Sequence, residues 1–264
     1  MKELKKSVHF TDSYLLQPTN PVSVNLIGAG GTGSQVLTAL ARMNHALHAL
    51  GHPGFFVRVF DGDAISTPNL GRQLFSASEL GLNKGVALTN RINRFFGTNW
   101  KAMPQSYNHS LPGLADMKAN LTVSCVDTVL ARFDIAAILQ SFPQDQHRDK
   151  PLYWMDFGNS HHTGQVILST IGSIQQPASK KFHTVARLPV ITDEFKHLLT
   201  QQQDNNEPSC SLAEALEKQD LFINSALANT GASLLWQLFR KGMTANRGFF
   251  LNLEDFRTQP LKVA

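Results

Sequence analysis

Short apolar runs alternate along the chain with segments in which apolar residues recur at helical spacing. The apolar runs have the length and composition of buried strands, and they lie at residues 22–27, 55–60, 121–126, 152–155 and 165–169. Helical spacing marks the segments 35–48, 84–96 and 130–140. This alternation predicts an α/β fold of the doubly wound kind, in which helices cover a mostly parallel sheet. Ligands of such sheets bind at the carboxyl ends of the strands.

The whole chain, residues 1–264, is predicted to form one domain. Residues 1–21 are a polar N-terminal arm, residues 22–171 are the core, residues 172–210 are a mobile crossover loop, and residues 211–264 are a C-terminal helix with edge strands at 248–252 and 261–263. The segment from Gly172 to Pro208 is polar and proline-containing, so we expect little regular structure in it. In the uncharged stretch 221–239, polar residues interrupt the apolar ones, and the apolar and small residues recur at helical spacing, which favours a buried helix over a membrane span.

Composition excludes several classes of protein. Lys and Arg number 24 against 20 Asp and Glu, a net charge of +4, and the basic residues form no dense stripe, so no nucleic-acid partner is expected. Two cysteines can supply neither a disulfide framework nor a four-cysteine zinc site. The chain starts without an apolar leader, so a cytoplasmic protein without membrane attachment is expected.

A glycine-rich loop joins the first apolar run to the first helix. Gly28, Gly30 and Gly33 have the G-x-G-x-x-G spacing, with Gly31 among them. Glycines let the backbone approach a phosphate, and the following helix N-terminus attracts anions. A tight strand–helix turn without a ligand is the alternative. Asp61 ends the next strand, 33 residues after Gly28 rather than the usual ~20, and could still hold a ribose, so spacing alone leaves NAD open.

Two cations follow that strand end. A nicotinamide site does not need two cations such as Arg72 and Lys84. A triphosphate site does, because negative charge develops on the leaving pyrophosphate. Asp127 ends the third strand and could hold Mg²⁺, which prefers few carboxylates and phosphate oxygens. Surface ion pairs for the cations and a helix cap for Asp127 are the bland alternatives. The occurrence of Arg72, Lys84 and Asp127 together near strand ends favours a nucleotide site.

These motifs resemble the ThiF/MoeB/HesA superfamily, which includes ubiquitin-activating enzymes. The matching segments are 28–34, 61–63, 69–73, 81–84 and 126–127, and they occur in the family's order. The segments 24–37, 69–75 and 208–216 are most similar to the ThiF-like proteins of PRTRC gene cassettes. The resemblance implies a Rossmann-like adenylation fold, a homodimer, ATP and Mg²⁺ as cofactors, and a small ubiquitin-like or sulfur-carrier-like protein, with a C-terminal glycine, as partner.

The resemblance also implies residue roles. The nucleotide would be bound by Gly28, Gly30, Gly31, Gly33, Asp61, Asp63, Asn69 and Gln73. Arg72 and Lys84 would neutralise charge at the reacting phosphates, and Asp127 would bind Mg²⁺. Residues 156–165 would border the incoming tail of the partner.

Cys210 lies in a Pro-x-Cys segment that resembles the thioester-bearing segment of ubiquitin-type activating enzymes. Ser211 and Glu214 form a capping box, which would put Cys210 before a helix N-terminus, where a thiol pKa is lowered. A small apolar residue packed at a loop end is the alternative. Cys125, inside an apolar strand, is expected to be a packing residue.

The chain departs from its relatives in two ways. Relatives often carry two Cys-x-x-Cys zinc pairs, and two cysteines cannot supply them, so no structural zinc is expected. The superfamily also supplies an arginine from before the glycine loop, whereas the first arginine here is Arg42. A non-catalytic adaptor that keeps the nucleotide fold is therefore one alternative to an adenylating enzyme, and a nicotinamide oxidoreductase is another.

Overall fold

A computed structural model of the chain describes residues 5–143, 147–201 and 218–264. The strands, in chain order, are β1 (Ser7–Phe10), β2 (Val22–Ile27), β3 (Phe55–Phe60), β4 (Lys101–Met103), β5 (Leu121–Ser124), β6 (Tyr153–Asn159), β7 (Thr163–Thr170), β8 (His183–Thr184), β9 (Met243–Thr244), β10 (Asn246–Asn252) and β11 (Arg257–Lys262). The helices are α1 (Ser13–Leu16), α2 (Gly31–Ala49), α3 (Lys84–Phe96), α4 (Val129–Ser141), α5 (Ile191–Glu194), α6 (Lys196–Gln201) and α7 (Ile223–Lys241).

An eight-stranded sheet runs through the molecule in the order β11-β10-β7-β6-β5-β2-β3-β4. The strands from β6 to β4 in this order pair in parallel, whereas β7, β10 and β11 add antiparallel pairings at the other end. The chain leaves β2 for β3 on one side, and β5 lies on the other side. The order in which strands are added to the sheet therefore reverses at β2. Doubly wound folds bind their ligands at such a reversal.

Helices cover both faces of this sheet, so the predicted doubly wound α/β fold is confirmed. On one face α2, α3 and α7 pack against apolar side chains of the central strands, such as Val24 and Leu26. On the other face α4 and α5 enclose a second cluster that includes Phe60, Trp154 and Ile135. Every residue of β2 is buried, because the strand has a helix layer on each side.

Local signals explain the helix boundaries. The Asn83 side chain accepts a hydrogen bond from the Val86 N–H, and Gly97 ends α3 in the left-handed conformation at φ 68°. α3 consequently spans the predicted residues 84–96. Helix α7 ends in the same way at Gly242, with φ 63°. No helix in the described parts of the chain is long and apolar enough to cross a lipid bilayer.

Two stretches differ from the sequence-based expectation. The arm 1–21 contributes β1, which pairs with β8 and β9 in a second, three-stranded sheet, and the short helix α1. The described part of the segment 172–208 forms β8, α5 and α6 instead of lacking regular structure. Both differences arise from long-range contacts: β1 pairs with residues about 175 positions away, and Leu188 and Ile191 are buried in the core.

Candidate active site

A cavity of about 360 Å³ opens at the carboxyl ends of β2, β3 and β5, at the point where the strand order reverses. Ten of the twelve residues that the sequence analysis selected line it. They are Gly28, Gly30, Gly31, Asp61, Asp63, Asn69, Arg72, Gln73, Lys84 and Asp127. Residues from five separate chain segments therefore meet in one pocket at the ends of the parallel strands.

The glycine loop forms the floor of the pocket between β2 and α2. Gly28 has φ +88°, and a Cβ there would lie 2.6 Å from the Cys125 carbonyl oxygen, so only glycine fits. Gly33 does not line the pocket, because it packs under the loop, where a Cβ would lie 1.9 Å from the Gly28 oxygen. Gly30 caps α2 without a side-chain hydrogen bond, which leaves the first N–H groups of the helix available to an anion.

Asp61 is fixed at the end of β3 by backbone donors. Its Oδ2 accepts from the Ala29 N–H at 2.6 Å, and its Oδ1 accepts from the Asp63 N–H at 2.9 Å. Burial raises the pKa of Asp61, and the two hydrogen bonds oppose that shift only in part. The carboxylate is thus held rigidly beside the glycine loop, where a ribose hydroxyl could reach it.

The two predicted cations are placed differently. Lys84 Nζ pairs with Asp63 Oδ2 at 2.8 Å, and the lysine side chain is 10% exposed while the aspartate is 73% exposed. Arg72 donates from Nη1 to Gln219 Oε1 at 2.8 Å, and no carboxylate of the described residues pairs with it. Its Nε–H is buried without an acceptor among those residues, and burial lowers its pKa. A buried donor of this kind can be satisfied by an anionic ligand or by water.

Asn69 and Gln73 flank Arg72. The Asn69 Oδ1 accepts from the Ser66 N–H at 2.9 Å and so fixes a 3₁₀ turn at the pocket edge. Gln73 is buried, and its Oε1 has no donor among the described residues. Asn69 therefore shapes the rim, whereas Gln73 has an acceptor free for a ligand.

Asp127 follows β5 and is exposed at the pocket mouth. The alternative role as a helix cap is not adopted, because the Thr128 Oγ1 caps α4 by accepting from the Ala131 N–H at 3.2 Å. No cation of the described residues pairs with the Asp127 carboxylate, and a carboxylate in this position fits Mg²⁺, which takes most of its ligands from phosphates and water. No group of three or more His, Cys, Asp or Glu side chains among the described residues could hold a metal ion by itself.

Sequence reasoning missed a buried arginine that frames Asp127. Arg132 donates from Nη2 to the Val126 carbonyl at 2.8 Å and from Nη1 to the Thr128 carbonyl at 3.3 Å, on both sides of Asp127. Its Nε pairs with Asp156 Oδ2 at 3.1 Å, and the Asp156 side chain is 1% exposed. Asp156 is therefore a buried partner of Arg132, and the bordering of an incoming tail by residues 156–165 stays a prediction. The signal available in the sequence was an arginine inside an otherwise apolar helix.

The opposite side of the pocket is apolar. Phe60 and Tyr107 meet edge to face with ring centroids 5.0 Å apart, and Ile27, Val126 and Ile135 complete this part of the lining. Burial raises the pKa of Tyr107 to about 12, so the phenol stays neutral. A flat base fits against such a surface, next to the polar end formed by the glycine loop and the cations.

A cluster of amides was also missed. Gln219, Asn224 and Asn159 line the pocket and are linked by hydrogen bonds. Asn224 stood out in the sequence only as a polar interruption of the uncharged helix. Nothing local to the sequence shows that the start of α7 returns to the glycine loop.

The two cysteines have separate outcomes. Cys125 lines the pocket, and burial raises its thiol pKa well above the usual value, which disfavours the reactive thiolate. Cys210 lies outside the described residues, and its thioester role stays a prediction.

Comparison with known proteins identifies the fold. The chain resembles the crystal structure of PaaA in its selenomethionine form, with 16% identity, a TM-score of 0.61 and coverage of 94% of this chain and 65% of that chain. It resembles E. coli MccB with 15% identity and a TM-score of 0.56, over 94% and 63% of the two chains. For E. coli MccB with ATP the identity is 14% and the TM-score 0.54, over 94% and 64%.

The chain spans just under two thirds of the length of these structures. At such identities the likeness shows the shared fold. No curated protein matches the chain significantly in sequence. The model of the ThiF family matches residues 9–262, nearly the whole chain. The chain therefore belongs to the ThiF family.

Proposed function

We propose that this protein uses ATP to adenylate the C-terminal carboxylate of a peptide or small protein. One observation carries the proposal: a single pocket combines the glycine loop, the fixed Asp61, an apolar slot, and the cations Arg72 and Lys84. The apolar slot, the fixed carboxylate and the cations with the glycine loop suit the base, the ribose and the phosphates of a nucleoside triphosphate.

Each part of the pocket has a role in the proposal. The apolar slot beside Phe60 holds the base, Asp61 accepts from the ribose hydroxyls, and the N–H groups after Gly30 bind phosphate oxygens. Arg72 and Lys84 offset the charge that builds up on the phosphates. Asp127 fits Mg²⁺, which when bound would further neutralise the phosphates.

The reaction follows from the charge distribution. An oxygen of the incoming carboxylate attacks the α-phosphorus, the bond from that phosphorus to the bridging oxygen of the β-phosphate breaks, and pyrophosphate leaves. The product is an acyl-adenylate. Catalysis of such a step rests on positioning and on cations aimed at the leaving group, rather than on a protein nucleophile.

A small ubiquitin-like protein that ends in glycine is the proposed partner, and a homodimer is the proposed assembly. The family resemblance of the motifs supports both. The microcin C7 biosynthetic enzyme MccB has been solved in complex with N-formylated MccA, a structure to which this chain is similar with a TM-score of 0.52 and 15% identity.

A second step on Cys210 belongs to the same proposal. The Cys210 thiolate would attack the acyl carbonyl, form a thioester and release AMP. A covalent conjugate that reductant cleaves in the wild type should be absent in Cys210→Ala. A conjugate that persists in Cys210→Ala would reject the thioester role without touching the adenylation step.

Calorimetric titration with ATP·Mg²⁺ and with NAD⁺ tests the nucleotide site. We expect ATP to bind, and we expect Arg72→Ala and Lys84→Ala each to weaken binding by about tenfold, because each removes a charged hydrogen bond. Arg94→Ala, which removes a cation from α3 outside the pocket lining, is the control and should bind normally. Tight NAD⁺ binding without ATP binding would favour the oxidoreductase alternative and contradict the proposal.

The adaptor alternative has a specific observation behind it: the first arginine of the chain, Arg42, follows the glycine loop. An adaptor would bind ATP in this pocket and would not turn it over. Binding and turnover must therefore be measured separately.

A further inference from the structure

We infer that Gln219 is a positioning residue for Arg72, which it holds in the pocket through a neutral acceptor so that the full positive charge of the guanidinium remains available to an anionic ligand. The inference deepens the proposed function, on which it rests, by assigning a role to a residue from the far end of the chain. Gln219 and Arg72 are 147 positions apart in sequence and both line the pocket.

The contact itself has an unusual charge balance. Arg72 Nη1 donates to Gln219 Oε1 at 2.8 Å, and the Arg72 Nε–H is buried without an acceptor in the described parts of the chain. Arginines of folded proteins usually meet a carboxylate when they are partly buried. Here the acceptor is an amide, which orients the guanidinium without cancelling its charge. An anion that enters the pocket then completes the interaction.

Gln219 is itself held in place. Asn224 Nδ2 donates to the same Gln219 Oε1 at 3.0 Å, and the Asn224 Oδ1 accepts from Thr32 Oγ1 at 2.8 Å and from Asn159 Nδ2 at 2.8 Å. Asn224 is 2% exposed. These bonds connect Arg72 through two amides to the first turn of α2 and to the end of β6.

The glycine loop makes room for this connection. A Cβ on Gly31 would lie 2.5 Å from the Asn224 amide nitrogen, so the close approach of α7 to the loop depends on that glycine. The backbone that would bind phosphate and the arginine that would bind the same ligand thus share one hydrogen-bonded network. Preorganisation of this kind reduces the entropy lost when a ligand binds.

The test compares two substitutions of Gln219 with a matched charge control, using calorimetric titration with ATP·Mg²⁺. Gln219→Glu keeps an acceptor for both Arg72 and Asn224 but pairs the guanidinium with a carboxylate, so we expect ATP to bind about tenfold more weakly or worse. Gln219→Met keeps the size but removes the acceptor, and we expect about fivefold weaker binding because Arg72 loses its orientation. Gln175→Glu adds the same charge at an exposed site and should bind as the wild type does.

A double-mutant cycle separates a positioning role from a merely structural one. In an Arg72→Ala background, Gln219→Met should change ATP affinity by less than about twofold, because the residue it positions is gone. An equal loss in both backgrounds, or wild-type affinity in Gln219→Glu, would overturn the inference. If Arg72→Ala alone binds ATP normally, the assigned role of Arg72 in the proposed function fails instead. Gln219→Glu keeps an oxygen that accepts from Arg72 and Asn224, so it still tests the inference if Gln219→Met does not fold.

Discussion

The buried pair of Arg132 and Asp156 yields the most quantitative prediction, through the substitution Arg132→Met. The arginine side chain is 6% exposed and the aspartate 1% exposed, so removal of the guanidinium strands a carboxylate in the interior. Among the described residues, the hydrogen bond from Ser124 Oγ to Asp156 Oδ1 at 2.6 Å then remains to stabilise that charge. Breaking a buried pair from one side costs about 3–5 kcal/mol.

That cost can be measured as a shift of the unfolding transition. For a domain of this size about 1 kcal/mol moves the melting temperature by roughly 2–4 °C, so Arg132→Met should melt roughly 6–20 °C below the wild type. Urea unfolding should show a lower midpoint at an unchanged m-value. The variant should also bind ATP·Mg²⁺ more weakly, because the carbonyls of Val126 and Thr128 lose the donor that frames Asp127.

The matched control is Arg148→Met. Arg148 contacts Asp149 at 3.2 Å, but its side chain is 61% exposed, and such surface pairs contribute about 0–1 kcal/mol. In the Arg132→Met background, Asp156→Asn should recover part of the stability, since it removes the stranded charge. If Arg132→Met and Arg148→Met melt within about 2 °C of each other, the assigned cost of the buried pair is wrong.

Three further predictions concern the glycine loop and two buried titratable groups. Gly33→Ala should lower the free energy of unfolding, measured in urea, by about 1–3 kcal/mol, because its Cβ would lie 1.9 Å from the Gly28 oxygen. Gly30→Ala should fold normally, because no neighbouring element lies within 4 Å of its Cβ, and it should bind ATP less well. In the wild type, Asp61 contributes a stability that is present in acid and is lost as pH rises through its folded pKa, because burial raises that pKa, and Asp61→Asn should remove this pH dependence. His9 changes stability with pH in the opposite direction, because burial lowers its pKa. Stability should therefore fall as pH drops below about 6.5.

Each of these has its own contradicting result. Equal melting temperatures for Gly33→Ala and Gly30→Ala would show that the close contact under the loop does not matter. The stability of Asp61→Asn should vary less with pH than that of the wild type, and an unchanged pH dependence would exclude the titration of Asp61 as its cause. For His9, whose Nε2 lies 2.9 Å from the Tyr153 hydroxyl, the comparison is His9→Gln, which should flatten the acid limb of stability against pH.

The parts of the site that could be predicted from the sequence are those whose signals are local. The glycine loop, Asp61 and Asp127 each follow an apolar strand directly, and the parallel topology brings strand ends together without further information. Helix α3 could be bounded because its cap Asn83 and its terminal Gly97 are adjacent to it in sequence.

The remainder depends on pairings that no local pattern records. Strand β1 is stabilised by partners at residues 183–184 and 243–244. Gln219 and Asn224 reach Arg72 and Thr32 only because α7 packs on α2. Arg132 and Asp156 are 24 positions apart and become a buried pair through the neighbouring positions of α4 and β6. Polar groups buried by tertiary packing are thus the ones that sequence reasoning misses.

Exchange of radiolabelled pyrophosphate into ATP tests the central proposal most directly. The protein is incubated with ATP·Mg²⁺, labelled pyrophosphate and a ubiquitin-fold protein that ends in Gly-Gly, and the label in ATP is counted. We predict exchange that requires the small protein, that is lost when its terminal glycine is deleted, and that drops in Arg72→Ala and Lys84→Ala. ATP binding without exchange for any such partner, and binding unaffected by either substitution, would contradict the account and leave a nucleotide-fold adaptor in its place.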